Sequence, residues 1–443
     1  MSIFDKPTLT RLLGSVEANH LLFLCGAGLS IPAPSNLMSA MRVAEACYDK
    51  WLPTERLPAA LRSDIDALAG HFYKATLFKT VFISTLVPWH ELVGEPNVGH
   101  AAVADLLISR AASAALSANF DPLIEQWASL RKVPMRGALD AVEAGEFSSE
   151  ANPLLKFHGC LQRNREETLW TQEQFGDAGV KQRIQNCRAW MTVNLPAKDL
   201  LIVGFWSDWG YLNDVLADAI NMSGINSVTV VDPASTADLK TKAPALWTKL
   251  NSTGIPFVHI QASGADALNE LRTEFSKVYA RKFLRLGTPL MVAAGKPCDP
   301  STIDLDAFST DDLYNLRRDA EGTPYNMAAK RREPAREAGT AAFAHLLFVH
   351  AGATPEGCGY RHSGRSIRIV HGAGQAIETV RERYNEPPTL PHADVIVCAG
   401  AILSGVPGRV ISAGRGGSIV RPARGGSGST WFTLDEARAE FAL

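Results

Sequence analysis

The sequence predicts an α/β fold: a doubly wound parallel sheet with a helical insertion, followed by a smaller C-terminal domain of α+β, β-rich character. Three observations carry that expectation. Short apolar runs alternate with longer helical stretches through the first part of the chain, the pattern of strands joined by crossover helices. Several of these runs end in glycine or polar residues, at the edge where an open α/β sheet binds its ligands. Beyond Gly287 the alternation gives way to strand-like runs separated by glycine-rich turns.

The first strand is Leu21-Leu22-Phe23-Leu24-Cys25, and it runs into Gly26-Ala27-Gly28 and Ser30. Glycine lets the main chain turn tightly and come within hydrogen-bonding distance of a pyrophosphate; Ser30 adds a hydroxyl, and the following helix an N-terminal dipole. By itself such a turn is equally a plain tight connection. Residues 36–92 read as a long helical stretch, with Leu57, Leu61, Ile65 and Leu68 at three- and four-residue spacing. Helices at 99–110 and 121–130 flank a small-residue strand, Ala112-Ser113-Ala114-Ala115-Leu116-Ser117, which ends in Ala118-Asn119-Phe120-Asp121. A loop-rich segment at 137–153 leads to Leu154-Leu155-Lys156-Phe157, a strand ending in His158-Gly159. Residues 171–192 read as a helix, and Asp199-Leu200-Leu201-Ile202-Val203 as a strand followed by Gly204-Phe205-Trp206-Ser207-Asp208. A helix at 210–221, a strand at 227–231 ending at Asp232 and a last strand at 256–260 complete the sheet.

Composition bounds the function. At 443 residues two domains are the default, and 46% apolar with 20% charged residues is ordinary for a globular chain. A net charge of -2 gives no global drive toward nucleic acid or membrane. No apolar run has transmembrane length, and Met1 to Lys6 lacks the form of a signal peptide, so a cytoplasmic location is expected. The seven cysteines are scattered without a Cys-x-x-Cys pair, which points away from a disulfide framework or a zinc ribbon.

The polar strand ends, taken in order with Pro96 and His100 before the second strand, make residues 15–285 resemble the NAD-binding domain of the sirtuin family. The resemblance implies a Rossmann-like sheet that takes NAD. It implies that Asn119 positions a nucleophile, its amide both donating to and accepting from a water or the ribose hydroxyls. His158 would be the base, with a pKa near the working pH. Gly26, Ala27, Gly28, Ser30, Asp121, Gly204, Ser207, Asp208 and Asp232 would hold the dinucleotide, the last through its adenosine ribose. His100 reads as structural. Outside the family setting, a His-Gly pair is commonly a buried, hydrogen-bonded histidine, and Asp121 is equally a cap for the helix carrying Ile124 and Glu125.

Three departures bear on the reaction. The stretch where protein-deacylating sirtuins carry a four-cysteine zinc module holds only Cys160 and Cys187. Ile31-Pro32-Ala33-Pro34-Ser35-Asn36-Leu37 replaces their Gly-Ile-Pro-x-Phe-Arg run, and Ala118 stands where they place glutamine. The resemblance is therefore to zinc-free, NAD-cleaving relatives of bacterial antiphage defence, which implies an NAD glycohydrolase without a metal. It also implies a homo-oligomer and a HerA-type hexameric ATPase as partner. The alternatives are an NAD-dependent deacylase or ADP-ribosyltransferase, and a non-enzymatic module that binds NAD or ADP-ribose.

The expected division is an NAD-binding catalytic domain over residues 1–287 and a C-terminal domain over 288–443 for oligomerisation or partner docking. In the latter, 309–337 reads as a polar helix, and 342–349, 367–370, 395–398, 418–420 and 430–433 as strands. Nine arginines against four acidic residues between Arg361 and Arg424 suit nucleic acid or a protein-docking face; few aromatics interleave them, which favours docking. His371-Gly372-Ala373-Gly374 reads as a strand-to-helix turn like the first glycine loop.

Overall fold

The computed structural model describes residues 2–207, 210, 213–214, 224–252, 254–384, 393–402 and 429–443. The chain divides into two compact units, Met1–Ser129 with Val133–Leu271, and Arg272–Leu443 with Leu130–Lys132. The helix Gly264–Ala293 runs through both that division and the 287/288 boundary expected from the sequence, with Pro289 inside it.

The first unit is built on seven parallel strands: β1 (Leu21–Cys25), β2 (Ala112–Ser117), β3 (Gly137–Ala138), β4 (Leu154–Lys156), β5 (Lys198–Val203), β6 (Ile225–Asp232) and β7 (Phe257–Gln261). Their order is β3-β4-β2-β1-β5-β6-β7. The chain thus lays β2, β3 and β4 on one side of β1, with β4 between β2 and the edge strand β3, then returns to β5 and builds outward on the other side. That reversal opens a crevice at the carboxyl ends of β1 and β5. All five residues of β1 are buried, as a central parallel strand covered on both faces requires. On one face Leu22, Leu24, Leu116, Leu155, Leu200, Ile202 and Val230 form a core with Cys187 and Met191 of the helix Ala178–Asn194.

The helical insertion is several pieces rather than one helix. Ala40–Trp51 and Ile65–Lys74 are α-helices, whereas Phe78–Leu86 is wound more loosely and Trp89–Leu92 more tightly. They are held by their own core of Val43, Leu68, Phe72, Phe82, Trp89 and Trp170. The three-and-four spacing survives because each piece needs one apolar face.

The second unit has a five-stranded sheet, order β12-β11-β10-β9-β8, with β8 (Thr354–Glu356), β9 (Gly359–His362), β10 (Arg365–His371), β11 (Val395–Ala399) and β12 (Thr430–Thr433). β10, β11 and β12 are parallel; β8 and β9 form an antiparallel hairpin not expected from the sequence. Residues 342–349, expected as a strand, belong instead to the helix Gly339–His350. Eight of its residues, from Ala341 to Phe348, are buried, and an element apolar all round has no periodicity to separate helix from strand. The polar helix expected at 309–337 ends at Ala320. The strand expected at 418–420 lies outside the described residues. The His371-Gly372-Ala373-Gly374 turn repeats the bonding of the first glycine loop: Gly372 N–H and Gly374 N–H donate to Ala399 O and Gly400 O at 2.7 and 2.9 Å. In the first loop Gly26 and Gly28 donate to Val203 O and Gly204 O, both at 3.0 Å.

Candidate active site

A cavity of about 350 Å³ opens at the carboxyl edge of the first sheet. Its walls include Ala27 and Ser30 after β1, Asn119 and Asp121 after β2, His158 after β4, and Gly204 and Ser207 after β5. Seven of the residues singled out from the sequence therefore meet around one space. Its apolar side comes from the insertion and its neighbours, among them Met38, Val43, Ile65, Leu92 and Trp170.

The glycine loop is tight for a different reason from the one expected. A Cβ on Gly26 would lie 2.6 Å from Gly204 O, and one on Gly28 would lie 2.7 Å from Gly204 Cα. Gly204 itself has φ +61°, a left-handed conformation natural to glycine. The close approach is thus between two loops of the protein, which join the ends of β1 and β5. Gly26, Gly28, Leu29 and Ser30 commit their N–H groups to backbone carbonyls. Among the described residues the Ala27 N–H has no backbone acceptor.

Ser30 is the hub of a buried polar network. Its hydroxyl donates to Asp121 Oδ2 at 2.9 Å and lies 3.1 Å from His100 Nε2. The Asn97 N–H donates to His100 Nδ1 at 3.2 Å, so that nitrogen carries no proton and Nε2–H is the donor to Ser30. Burial, opposed by Asp121 and reinforced by Lys156, holds the His100 pKa down to about 4, in keeping with a neutral ring. Asn97 also caps the helix Val98–Ile108 and donates to Leu29 O at 2.8 Å, tying that helix to the glycine loop. His100, read as structural, is thus structural in a specific sense: it orients Ser30.

Asn119 Nδ2 donates to Gly26 O and to Ser30 Oγ, each at 3.1 Å. Gly26 O can only accept, which fixes the amide orientation. Both N–H groups are therefore committed, and among the described residues Oδ1 takes no hydrogen bond. The amide, expected both to donate and to accept, has its donors engaged within the protein, and its oxygen is the group left. Asp121 acts as the helix cap that is one of its two sequence readings, and it also anchors Ser30. Oδ2 accepts from Ser30 and Oδ1 from the Leu123 N–H at 3.2 Å, capping the helix Leu123–Leu130.

His158 is buried, its ring packed edge-on to Phe157 with centroids 4.5 Å apart. Its pKa is not near neutrality: desolvation, with the charge of Arg183 adding to it, lowers it to about 3. The ring is neutral at any physiological pH. Of the remaining expected residues, Asp232 accepts from the Ala234 N–H at 2.8 Å and does not line the cavity, and Asp208 lies outside the described residues.

Residues 113–255 match the family model of the SIR2-like domain. That match spans less than half of the chain. That stretch contains Asn119, Asp121, His158, Gly204 and Ser207, while the glycine loop precedes it. No curated protein matches the chain. Among solved structures it is similar to a Sir2 homolog-NAD complex, at 14% identity over 59% of this chain and 91% of that one, TM-score 0.36. It is also similar to a structure described as the structural basis for sirtuin substrate affinity, at 12% identity over 61% and 98%, TM-score 0.36. A third, on the mechanism and regulation of Sir2 enzymes, has 11% identity over 60% and 96%, TM-score 0.33.

Residues that the sequence motifs do not mark also lie at or near the cavity. Lys242, at the end of the helix Thr236–Lys242, lines the cavity and is the one Lys or Arg among its described lining residues. Trp206 donates to Leu239 O at 2.8 Å, bracing the loop after β5 against that helix. Lys156, an ammonium in an otherwise apolar strand, is a visible anomaly of the sequence. Among the described residues no group of three or more His, Cys, Asp or Glu side chains is arranged to hold a metal ion, and no helix is long and apolar enough to cross a membrane.

Proposed function

We propose that the chain is an NAD glycohydrolase that releases nicotinamide and ADP-ribose. The supporting observation is Asn119: its two N–H groups are held by Gly26 and Ser30, its oxygen takes no hydrogen bond among the described residues, and it lines the same cavity as His158. As the bond between nicotinamide and C1′ of the ribose breaks, its electron pair leaves with the ring and C1′ gains oxocarbenium character. A water donating to Asn119 Oδ1 presents its lone pair to that carbon. The new C–O bond forms, and the water's proton passes to neutral His158. A weakly basic imidazole suffices, because attack on so electrophilic a centre precedes much of the proton transfer. The Ala27 N–H and the Lys242 ammonium are the groups suited to the substrate's diphosphate.

The direct test is nicotinamide release from NAD by the purified chain. NAD binding without release, in the presence of every partner tried, would refute the enzyme and favour a nucleotide-binding regulator. An acyl-lysine reaction would reveal itself by O-acetyl-ADP-ribose formed with acetylated peptide. The same proposal casts the chain as a bacterial antiphage effector acting by NAD depletion, which requires an off state. Oligomerisation through residues 288–443, or a HerA-type hexameric ATPase, would supply the gate, and activity measured with and without that partner tests it.

Two predictions arise from the geometry. If His158 is the base, its neutral form is the active one, and with a pKa of about 3 that form persists as pH falls from 8 to 5. A plot of kcat/KM for NAD should lack the inflection near pH 6.5 of an ordinary histidine; an acid limb there that disappears in His158→Asn would contradict the depressed pKa of His158. Lys242→Ala should raise KM for NAD about tenfold, about 1.4 kcal/mol, with kcat little changed. An unchanged KM at low ionic strength would place the diphosphate elsewhere.

A further inference from the structure

We infer that Lys156 is a positioning residue that sets Asn119 and His158 in one geometry, acting through the main-chain carbonyls of the Asn119 loop rather than through its ion pair. The inference rests on the glycohydrolase reading for its kinetic part only.

Lys156 is the last residue of β4 and pairs in register with Ser117, the last residue of β2, so the loops bearing Asn119 and His158 leave the sheet side by side. Its side chain is 1% exposed. Nζ lies 2.6 Å from Asp121 O, 3.4 Å from Phe120 O, 3.1 Å from Glu125 Oε1 and 3.7 Å from Cys160 Sγ. The shortest contact is to a neutral carbonyl in the Asn119 loop, not to the carboxylate. On the other side, Lys156 O accepts from the Gly159 N–H at 3.0 Å and closes the turn that carries His158. One residue therefore grips both loops, the first by its side chain and the second by its backbone.

An apolar side chain of similar length would fill a buried parallel strand without the penalty of desolvating an ammonium, which is several kcal/mol per ion. Burial does oppose the charge here, but Glu125, Cys160 and Asp121 outweigh it and the pKa is raised, so the donor stays protonated. Room for the pair comes from Gly137 of β3, where a Cβ would collide with Lys156 Cδ and lie 2.6 Å from Glu125 Oε1. The N–H donors that Lys156 directs at Phe120 O and Asp121 O are what an apolar residue lacks.

The test separates the carbonyl contacts from the ion pair. Lys156→Met alone leaves the Glu125 carboxylate buried without its cation and is liable to unfold, so the decisive variant is Lys156→Met with Glu125→Gln, which removes both charges. It should melt within about 5 °C of the wild type. Its kcat for nicotinamide release should fall about 100-fold, as for a displacement of about 1 Å, with KM within about threefold. Glu125→Gln alone keeps the ammonium on the carbonyls and should retain kcat within about fivefold. Amide hydrogen exchange supplies a readout independent of activity: in the double variant, peptides covering residues 118–125 should exchange faster while those of β1 and β5 do not. Wild-type kcat in the folded double variant, or unchanged exchange at 118–125, would overturn the positioning role. If the wild-type chain releases no nicotinamide, the glycohydrolase reading fails by itself and exchange alone decides the role of Lys156.

Discussion

Asn119→Ala is expected to lower kcat for nicotinamide release by about 10²- to 10⁴-fold, the range of a group that orients a nucleophile and stabilises developing charge. NAD affinity, measured by calorimetry, should change by less than about fivefold, because the dinucleotide meets Asn119 only where it reacts. The size of the effect follows from the geometry. The amide is clamped by Gly26 O and Ser30 Oγ at 3.1 Å each, so its oxygen is aimed before substrate arrives. Alanine removes the acceptor and strips both partners of a donor. Asn119→Asp refines the result: it keeps an oxygen toward the cavity but presents a second one to the Gly26 carbonyl, which cannot donate. It should therefore lose activity comparably, through a misdirected side chain. Near-wild-type turnover in either variant would remove Asn119 from the mechanism.

Gly204→Ala should have the largest effect on the folded state. A Cβ there would meet Leu29 N at 2.6 Å and Gly28 C at 2.7 Å, both main-chain atoms that no rotamer can move aside. The residue also has φ +61°, which adds about 1–2 kcal/mol for an L side chain. With overpacking at about 1–3 kcal/mol, a loss of about 2–5 kcal/mol is expected, read as a lower urea midpoint at unchanged m. The damage falls on the junction that holds Ser30 and Asn119, so activity should fall in the fraction that remains folded. Gly210→Ala is a matched control, since among the described residues nothing lies within 4 Å of a Cβ at that position. Equal stability of the two variants would refute the close-contact account.

Much of the first sheet is legible in the sequence alone. Leu21–Cys25, Ala112–Ser117, Leu154–Lys156 and Lys198–Val203 are strands whose apolar character and glycine or polar ends stand in the chain itself. Local chemistry writes such signals: side-chain period, turn residues and caps act within a few positions. Elements without a local signal are the ones that depart from expectation. Gly339–His350 is apolar on every face because it is buried on every face. The pair of residues in β3 is too short to carry a pattern, and the hairpin of β8 and β9 turns on Gly357, whose φ of +57° has no distinctive signature beyond glycine itself.

The candidate site divides along the same line. The residue types at the carboxyl edge are written in the chain: a glycine loop with Ser30, an Asn-x-Asp, a His-Gly and a second glycine at 204. Tertiary structure decided what each can do. Ser30 meets His100 across 70 positions and Asp121 across 91, and only that convergence commits the Asn119 N–H groups and leaves its oxygen for the cavity. The pKa of His158 is set by burial and by Arg183, neither of which a His-Gly pair announces. Lys156 looks misplaced in an apolar strand until the carbonyls of Phe120 and Asp121 are brought to its ammonium. Strands and turns come from neighbours along the chain, whereas proton affinity, donor commitment and close backbone contact come from neighbours in space.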